Sequence, residues 1–490
     1  MLRGRGIPWP FTKSISGEGD KGKRMKKTVW GLLGILVALL AAGGIYVYLV
    51  FFEQEKPTIQ VQPDVKFIGK TLEVKVQDLK SGVAELQIDM IQGGKSVRLL
   101  SEKFPKKTRL VEKTIPLRPL PPGLQEGEAQ LKIAAKDHSW NWGNPVSLER
   151  TVIIDTTPPR LSVLGALHYG HPGGTGVMTY QVSEETPLTG VQVGPTLFRG
   201  YAVGQGRYVA YFAIPLDASA NTSFSAMAED QSGNRTQAGF RIILKPKAFK
   251  KDKIQITDSF LKTLLPYFTE RDPNLKGSPL EIFLAVNRKQ READHREIQK
   301  ISRETVPKPL WSGPFLRLPN AKPMASFAQD RTYEYNGQEV DRQTHWGVDL
   351  ASLAQSPVPA ANSGIVAFAA PLGIYGNTVV IDHGCGLFSM YSHLSKIEVE
   401  VKKEIKKGDT LGRTGATGMA GGDHLHYGMM VQGAFVNPIE WWDEHWIKDN
   451  EELKMKWFEG PPQAEPPRPA VSEDKPKAKT KKPPRKAAGR

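Results

Sequence analysis

From Thr28 to Phe52 the chain carries no charged residue. A run of 25 residues is longer than the ~20 that a helix needs to cross the hydrocarbon core of a bilayer. In lipid a helix is one of the few ways a backbone can satisfy its own N–H and C=O groups. Trp30 stands near one end of the run, with Tyr46, Tyr48 and Phe52 near the other, where interfacial aromatics belong. Lys21, Lys23, Arg24, Lys26 and Lys27 crowd its N-terminal side. The positive-inside rule then places residues 1–27 in the cytoplasm and everything after Phe52 outside the membrane. A cleaved signal peptide has an apolar core of roughly 7–15 residues, shorter than this one, and the small residues Ala41-Ala42-Gly43-Gly44 lie inside the run rather than after it. A buried soluble helix would show a polar face, and this segment has none. The expectation is an uncleaved, single-pass anchor at 28–52 in the cytoplasmic (inner) membrane.

A chain of 490 residues points to about three or four domains. Its formal charge of +15 is unevenly spread. Residues 1–28 carry eight Lys/Arg against two Asp/Glu, and residues 461–490 carry nine against three, so each tail contributes +6. The middle is nearly neutral, which argues against a nucleic-acid partner despite the high pI. Cysteine occurs once, at Cys385. That excludes an internal disulfide and a cysteine-based zinc finger, and the thiol reads as packing.

Past the anchor, residues 57–155 read as β-strands. Leu72-Glu73-Val74-Lys75-Val76 and Leu131-Lys132-Ile133 alternate apolar and polar, the period of strands with one wet face. Asp155-Thr156-Thr157-Pro158-Pro159 interrupts the pattern, because two prolines cannot sit inside a ladder. Strand-like segments resume over 156–247. Ala135-Lys136-Asp137 followed by Gly143-Asn144 recurs as Ala228-Glu229-Asp230 followed by Gly233-Asn234, which suggests two tandem β-sandwiches. This junction and turn resemble bacterial immunoglobulin-like domains. They carry no catalytic cluster, and their role is read either as a spacer or as a binder of wall polymers or a partner.

Residues 252–305 change character. Ser278-Pro279-Leu280-Glu281 is a capping box with proline at the first helical position, opening a helix that runs to about Lys300. Phe260, Leu261, Leu264 and Leu265 suggest a shorter helix before it, ending near Pro266. This helical connector is either a packed link or a cover over the following cleft that a partner moves. From 306 to 458 short strands and many glycines return. They end in a tryptophan-rich helix after Asn437-Pro438, read as core or docking surface. Residues 459–490 are rich in Pro, Lys and Ala and read as a disordered basic tail.

The C-terminal region holds two short motifs, His345-x-x-x-Asp349 and His424-Leu425-His426. Two imidazoles and one carboxylate make three protein ligands, the number a catalytic zinc uses when its fourth position stays open. One histidine is left over to handle protons. Residues two apart on a strand share a face, so His424 and His426 can supply a ligand and an unliganded imidazole side by side. A closed structural site would need a fourth protein ligand, and two histidines at i and i+2 rarely both reach one ion. Tyr391-Ser392-His393-Leu394 adds a further histidine, and a glycine-rich stretch, 408–422, precedes the second motif. That stretch lacks the G-K-[ST] ending of a phosphate loop. His383 reads as structural, and His295 and His445 as surface residues.

As a set, His345-x-x-x-Asp349, Tyr391-x-His393-Leu394, the Lys407-Gly408-Asp409…Gly412-x-x-Gly415-x-x-Gly418 run and His424-Leu425-His426 resemble the LytM/lysostaphin-type zinc metallopeptidases. Gly347 and Leu350, Asp382-His383-Gly384 and Asn437-Pro438 add to the likeness, which spans about residues 311–445. The resemblance implies an antiparallel β peptidase domain, with one Zn2+ per chain held by His345, Asp349 and His426. It also implies that His424 is the general base, and that His393 orients the water or stabilises the oxyanion. A metal-activated water at neutral pH and an imidazole with an ordinary pKa near ~6.5 suit such a reaction.

The fold expected is therefore mainly β: a transmembrane helix, two sandwiches, a helical connector and a metallopeptidase domain. The function expected is a membrane-anchored zinc metalloendopeptidase cutting peptide cross-links of peptidoglycan outside the inner membrane, with a regulatory protein partner conceivable and no nucleic acid involved. Two rivals stand beside it. One is a non-hydrolytic regulator that activates a separate cell-wall amidase, against which the intact ligand set speaks. The other is a structural protein joining membrane to wall, which would bind the wall without releasing fragments.

Overall fold

A computed structural model describes residues 19–51, 54–62, 66–140, 142–164 and 168–456. The basic tail expected at 459–490 lies outside the described residues, and that at 1–27 is described only from Gly19. The fold is mainly β, and the chain forms two compact units. One comprises Met1–Thr157 with Gln231–Asn234, the other Pro158–Asp230 with Arg235–Arg490.

The first unit starts with the apolar helix Gly19–Phe51. Within it Val29–Tyr48 has a mean hydropathy of 2.1, and none of it is buried in the protein. Length and apolar composition suit it to a membrane. A β-sandwich follows. One sheet pairs Thr58–Gln62, Thr71–Gln77 and Leu110–Pro116; the other is built on Val83–Gln92, Lys95–Lys103, Gly127–Asp137 and Val146–Ile154. Leu72, Val74 and Val76 point inward while Glu73 and Lys75 face outward, as period-two alternation requires. Leu86, Ile88, Leu131 and Ile133 fill the centre of a core drawn only from this unit.

In the second unit a sandwich of two four-stranded sheets covers Leu161–Gly239. It is followed by a sheet whose strand order is Lys322–Ala325, Val348–Ala351, Leu425–Val431, Leu387–Leu394, Gly376–Asp382, Gly364–Leu372 and Glu404–Ile405, antiparallel throughout. Its central strands are buried on both faces. Val379, Ile381, Tyr391 and Met429 join the sandwich residues Tyr180, Tyr211 and Phe212 in one core. Val380, Met390 and Met430, one residue out of phase, join the helical segment through Leu261, Phe283, Val286 and Ile298. A strand covered on both sides must be apolar at every position, which accounts for the unbroken run Val379-Val380-Ile381.

The helical segment carries helices Asp258–Leu264 and Pro279–Ala285, a π-helical turn Val286–Gln290 and helix Arg291–Ile301. The Ser278/Glu281 capping box forms as the sequence indicates. Ahead of the helices, Lys251–Ile256 is a strand lying parallel to Gln329–Tyr335. Because Phe283, Leu261, Val286 and Ile298 are almost completely buried, the segment is a wall of the folded core.

Candidate metal centre

The sheet assembles the two motifs by register. Asp349 lies directly opposite His426 on the neighbouring strand, so both side chains leave the same face. Even-numbered positions from His424 to Met430 share that face, which is the one the helical segment covers. His345 ends the hairpin strand Gln338–His345. The turn of that hairpin is Asn336-Gly337, both with positive φ, 50° and 75°, the conformation a two-residue hairpin prefers.

Three donor atoms converge. His345 Nε2 lies 3.0 Å from Asp349 Oδ1 and 3.0 Å from His426 Nδ1, and His426 Nδ1 lies 2.9 Å from Asp349 Oδ1. All three residues are buried. His345 Nδ1 donates to the Ser326 carbonyl at 2.9 Å, so its Nε2 presents a lone pair. The lone pairs of His345 Nε2 and Asp349 Oδ1 thus meet His426 Nδ1 at one point, an arrangement that a cation suits. Two imidazoles and a carboxylate form a donor set that a divalent metal such as zinc accepts. Arg331 Nη2 donates to the other carboxylate oxygen, Asp349 Oδ2, at 2.9 Å, which fixes the plane of the group. Gly347 is required by space. A Cβ there would stand 2.6 Å from the His426 ring.

The remaining two imidazoles are held in the same way. His424 Nδ1 donates to the Gly422 carbonyl at 2.8 Å, and His393 Nδ1 to the Thr417 carbonyl at 2.8 Å. Each Nε2 is therefore an acceptor. His424 Nε2 lies 3.6 Å from Asp349 Oδ1, and the rings of His393 and His424 are 4.9 Å apart. His393 has a φ of 62°, a left-handed backbone that a non-glycine residue adopts only when its surroundings impose it.

Electrostatics separates the roles. Burial opposes the charge on Asp349, but the surrounding imidazoles, His345 foremost, outweigh it and hold the carboxyl well below the usual range. Burial keeps His426 neutral, down to about 4. Burial, with His424 and His426 nearby, also puts His393 well below an ordinary imidazole. For His424 burial acts downward, yet the hydrogen bond and charge of Asp349 more than compensate and raise it. One basic imidazole thus stands beside neutral ones. The five residues line a cavity of about 250 Å³ whose other walls include Phe260, Phe283, Ile374 and Tyr375.

The match to known families falls on this region: residues 343–438 fit the model of peptidase family M23. This segment is an M23 peptidase domain. Over 95 residues the chain is 37% identical to the DD-carboxypeptidase/endopeptidase Mpg of Neisseria meningitidis serogroup B, covering 19% of this chain and 22% of that protein. Over 96 residues it is 38% identical to the peptidoglycan DD-endopeptidase ShyA of Vibrio cholerae, covering 20% of this chain and 22% of the relative. The chain thus spans under a quarter of the length of these relatives. Among solved structures, the catalytic domain of the antimicrobial peptidase lysostaphin from Staphylococcus simulans aligns at 30% identity, covering 25% of this chain and 92% of that one, with a TM-score of 0.22.

All five residues singled out from sequence, His345, Asp349, His393, His424 and His426, thus lie around one cavity of the M23 domain. His383 is fully buried and lies elsewhere, bonding Ser363 O and Ser389 Oγ at 2.7 Å each. His445 is exposed. His295 is not the surface residue expected. Its Nε2 lies 3.0 Å from the Tyr375 hydroxyl, and the Tyr375 ring lies tilted against that of His426, 5.6 Å between centroids. Sequence reading also missed Arg331 and Arg291, which reach the cavity from outside the matched segment. No spacing signal ties either arginine to the histidine motifs. Cys385 is packing, fully buried, with its thiol pushed up to about 12 by burial. Trp441 is core, also fully buried.

Proposed function

We propose that this chain is a membrane-anchored zinc metalloendopeptidase that hydrolyses peptide bonds in peptidoglycan cross-links. The observation carrying the reading is the convergence of His345 Nε2, Asp349 Oδ1 and His426 Nδ1 beside two imidazoles whose acceptor nitrogens face the same cavity. The M23 match and relatives named as peptidoglycan endopeptidases support it. In this reading His345, Asp349 and His426 hold the metal, which when bound acidifies water and polarises a carbonyl. His424, with its Nδ1 proton committed to Gly422, takes a proton at Nε2 and later returns it to the leaving amine. His393, neutral and locked by Thr417, orients the attacking water through Nε2. Arg331 keeps the Asp349 carboxylate in place. The helix containing Val29–Tyr48 anchors the chain in the inner membrane, with the M23 domain on the periplasmic side.

The test uses the full chain in detergent with purified peptidoglycan, with and without chelator, followed by analysis of released fragments. Cleavage should stop on chelation and return with zinc. His345→Ala should lose both metal and cleavage, whereas His424→Ala should lose cleavage by about 100-fold or more and retain metal. Cleavage that survives in His424→Ala would remove the general-base assignment. Intact peptidoglycan after incubation with metal-loaded protein would favour the regulator or structural reading.

A further inference from the structure

The helix that walls the cleft is regular except at one place. Between Pro279–Ala285 and Arg291–Ile301 it opens into the π-helical turn Val286–Gln290. Such a turn inserts a residue and rotates everything after it, and it recurs at functional sites. Here it divides the work of two arginines. Asn287, fully buried, donates through Nδ2 to Asp341 Oδ2 at 2.8 Å. Arg288 takes the other oxygen of Asp341 at 3.0 Å and the Val340 carbonyl at 2.6 Å. The single negative charge of Asp341 is thereby matched by Arg288.

Arg291 receives no such partner. Its Nε donates to the Asn287 carbonyl at 3.1 Å, and its Nη2 to Asn287 Oδ1 at 2.6 Å. Its remaining contact is the Met419 sulfur at 3.6 Å, in the glycine-rich stretch. All of these are neutral, and among the described residues Arg291 makes no ion pair. It nevertheless lines the same cavity as His345, Asp349, His424 and His426. The other charges there are accounted for: Arg331 is bound to Asp349, and Asp252 sits exposed at the rim. Asp294, one turn on, accepts from Gln290 and from the Ile374 amide and makes no ion pair with Arg291, although the Arg291 charge acts on its carboxyl. The positive charge of Arg291 is felt nearby, since it adds to burial in holding His295 down to about 4.

We infer that Arg291 is the substrate-selecting residue of this cleft, reading a carboxylate on the peptide that lies across the metal centre. The inference rests on the peptidase reading and narrows it to acidic peptides. A half-buried guanidinium held rigidly by neutral groups is preorganised for a carboxylate. An anion arriving there would offset the cost of having removed the charge from water. The residue comes from outside the M23 segment, so the selectivity belongs to this chain's helical wall.

The test compares one cross-linked peptide in three forms: free acid, amidated at the C-terminal carboxyl, and amidated at the side-chain carboxyl. Binding is measured by calorimetry on the full chain, zinc-loaded and carrying His424→Ala to prevent turnover. Cleavage is measured with His424 intact. The free acid should bind about tenfold more tightly than one of the amides, as a charge-assisted contact implies, and that amide identifies which carboxyl is read. Arg291→Gln should reduce the preference to within about twofold, and Arg291→Lys should keep part of it because the charge remains. Arg296→Gln, an exposed position paired with Glu292, should keep all of it. Equal affinity for the three forms, or a preference unchanged in Arg291→Gln, overturns the inference. Absence of cleavage of any form, with the binding preference intact, would instead overturn the peptidase reading and leave the role of Arg291 standing.

Discussion

The two β-sandwiches of this chain bury their strands in different company. In the first, Thr71–Gln77 alternates exposed and buried positions, and the core contains residues of that unit alone. In the second, Thr175–Val182 is buried at every position but Gln181, and Arg207–Ala213 at every position but Arg207. Its inner face packs on its partner sheet, and its outer face meets the C-terminal part of the chain. Trp441 Nε1 donates to Thr175 Oγ1 at 3.1 Å, Glu440 accepts from the Thr175 amide at 2.7 Å, and Lys454 reaches the Val177 carbonyl at 2.8 Å. One sandwich is a module with its own wet surface. The other is part of the scaffold that holds the metal motifs.

The largest test of this contrast is Trp441→Ala. Removing a fully buried indole should cost about 3–5 kcal/mol, lower the melting temperature of the second unit, and reduce retained metal because the same core supports Tyr427 beside His426. Ile88→Ala, in the middle of the first core, should cost about 2–5 kcal/mol while metal content by atomic absorption stays at the wild-type value. Metal loss in Ile88→Ala, or an untouched metal site in Trp441→Ala, breaks the comparison.

Acid should separate the units next. Burial holds His383 down to about 4 in the folded second unit, against 6.5 for a free imidazole. Below pH 6.5 the unfolded chain takes up this proton and the folded one does not, so stability present above 6.5 drains away as pH falls toward 4. The loss approaches about 3 kcal/mol for this one group. His383→Gln should flatten that limb of the stability profile, measured by urea denaturation from pH 7 to 4. An unchanged slope would remove His383 from the account.

Smaller effects sharpen the picture. Gly347→Ala should weaken metal affinity about 10–100-fold, as displacing a ligand's support does, because the added methyl meets the His426 ring; chelator competition reads it. Smallest of all, Lys132→Met, which breaks the exposed pair with Glu149, should change the stability of the first unit by under about 1 kcal/mol.

Much of the site was legible because its chemistry is local. His424 and His426 face one cavity through their spacing, and the capping box at Ser278 declared its helix, whereas His345 and Asp349 lie on strands of different sheets, Gln338–His345 and Val348–Ala351, and meet across the turn between them. What could not be read is what depends on pairing between distant segments. Arg331 meets Asp349 through the hairpin that returns at Asn336-Gly337. His295, on the helix Arg291–Ile301, meets Tyr375 in the 3-10 turn Gly373–Tyr375. The π-helical turn leaves no mark in composition, since Val286–Gln290 reads as ordinary helix. The strand Lys251–Ile256 was hidden because four of its six residues are polar and only Ile254 and Ile256 mark its inner side. Continuous burial in the second sandwich was similarly ambiguous, for an unbroken apolar run does not say what lies on its second face.

Three of the four site imidazoles, those of His345, His393 and His424, are oriented by main-chain oxygens at Ser326, Thr417 and Gly422. A carbonyl cannot be deleted by replacing a side chain. The centre is therefore insulated from most point changes at those three positions and exposed to anything that lengthens, shortens or re-routes the loops carrying them. Natural or engineered variation should be tolerated there as altered lettering and punished as altered length.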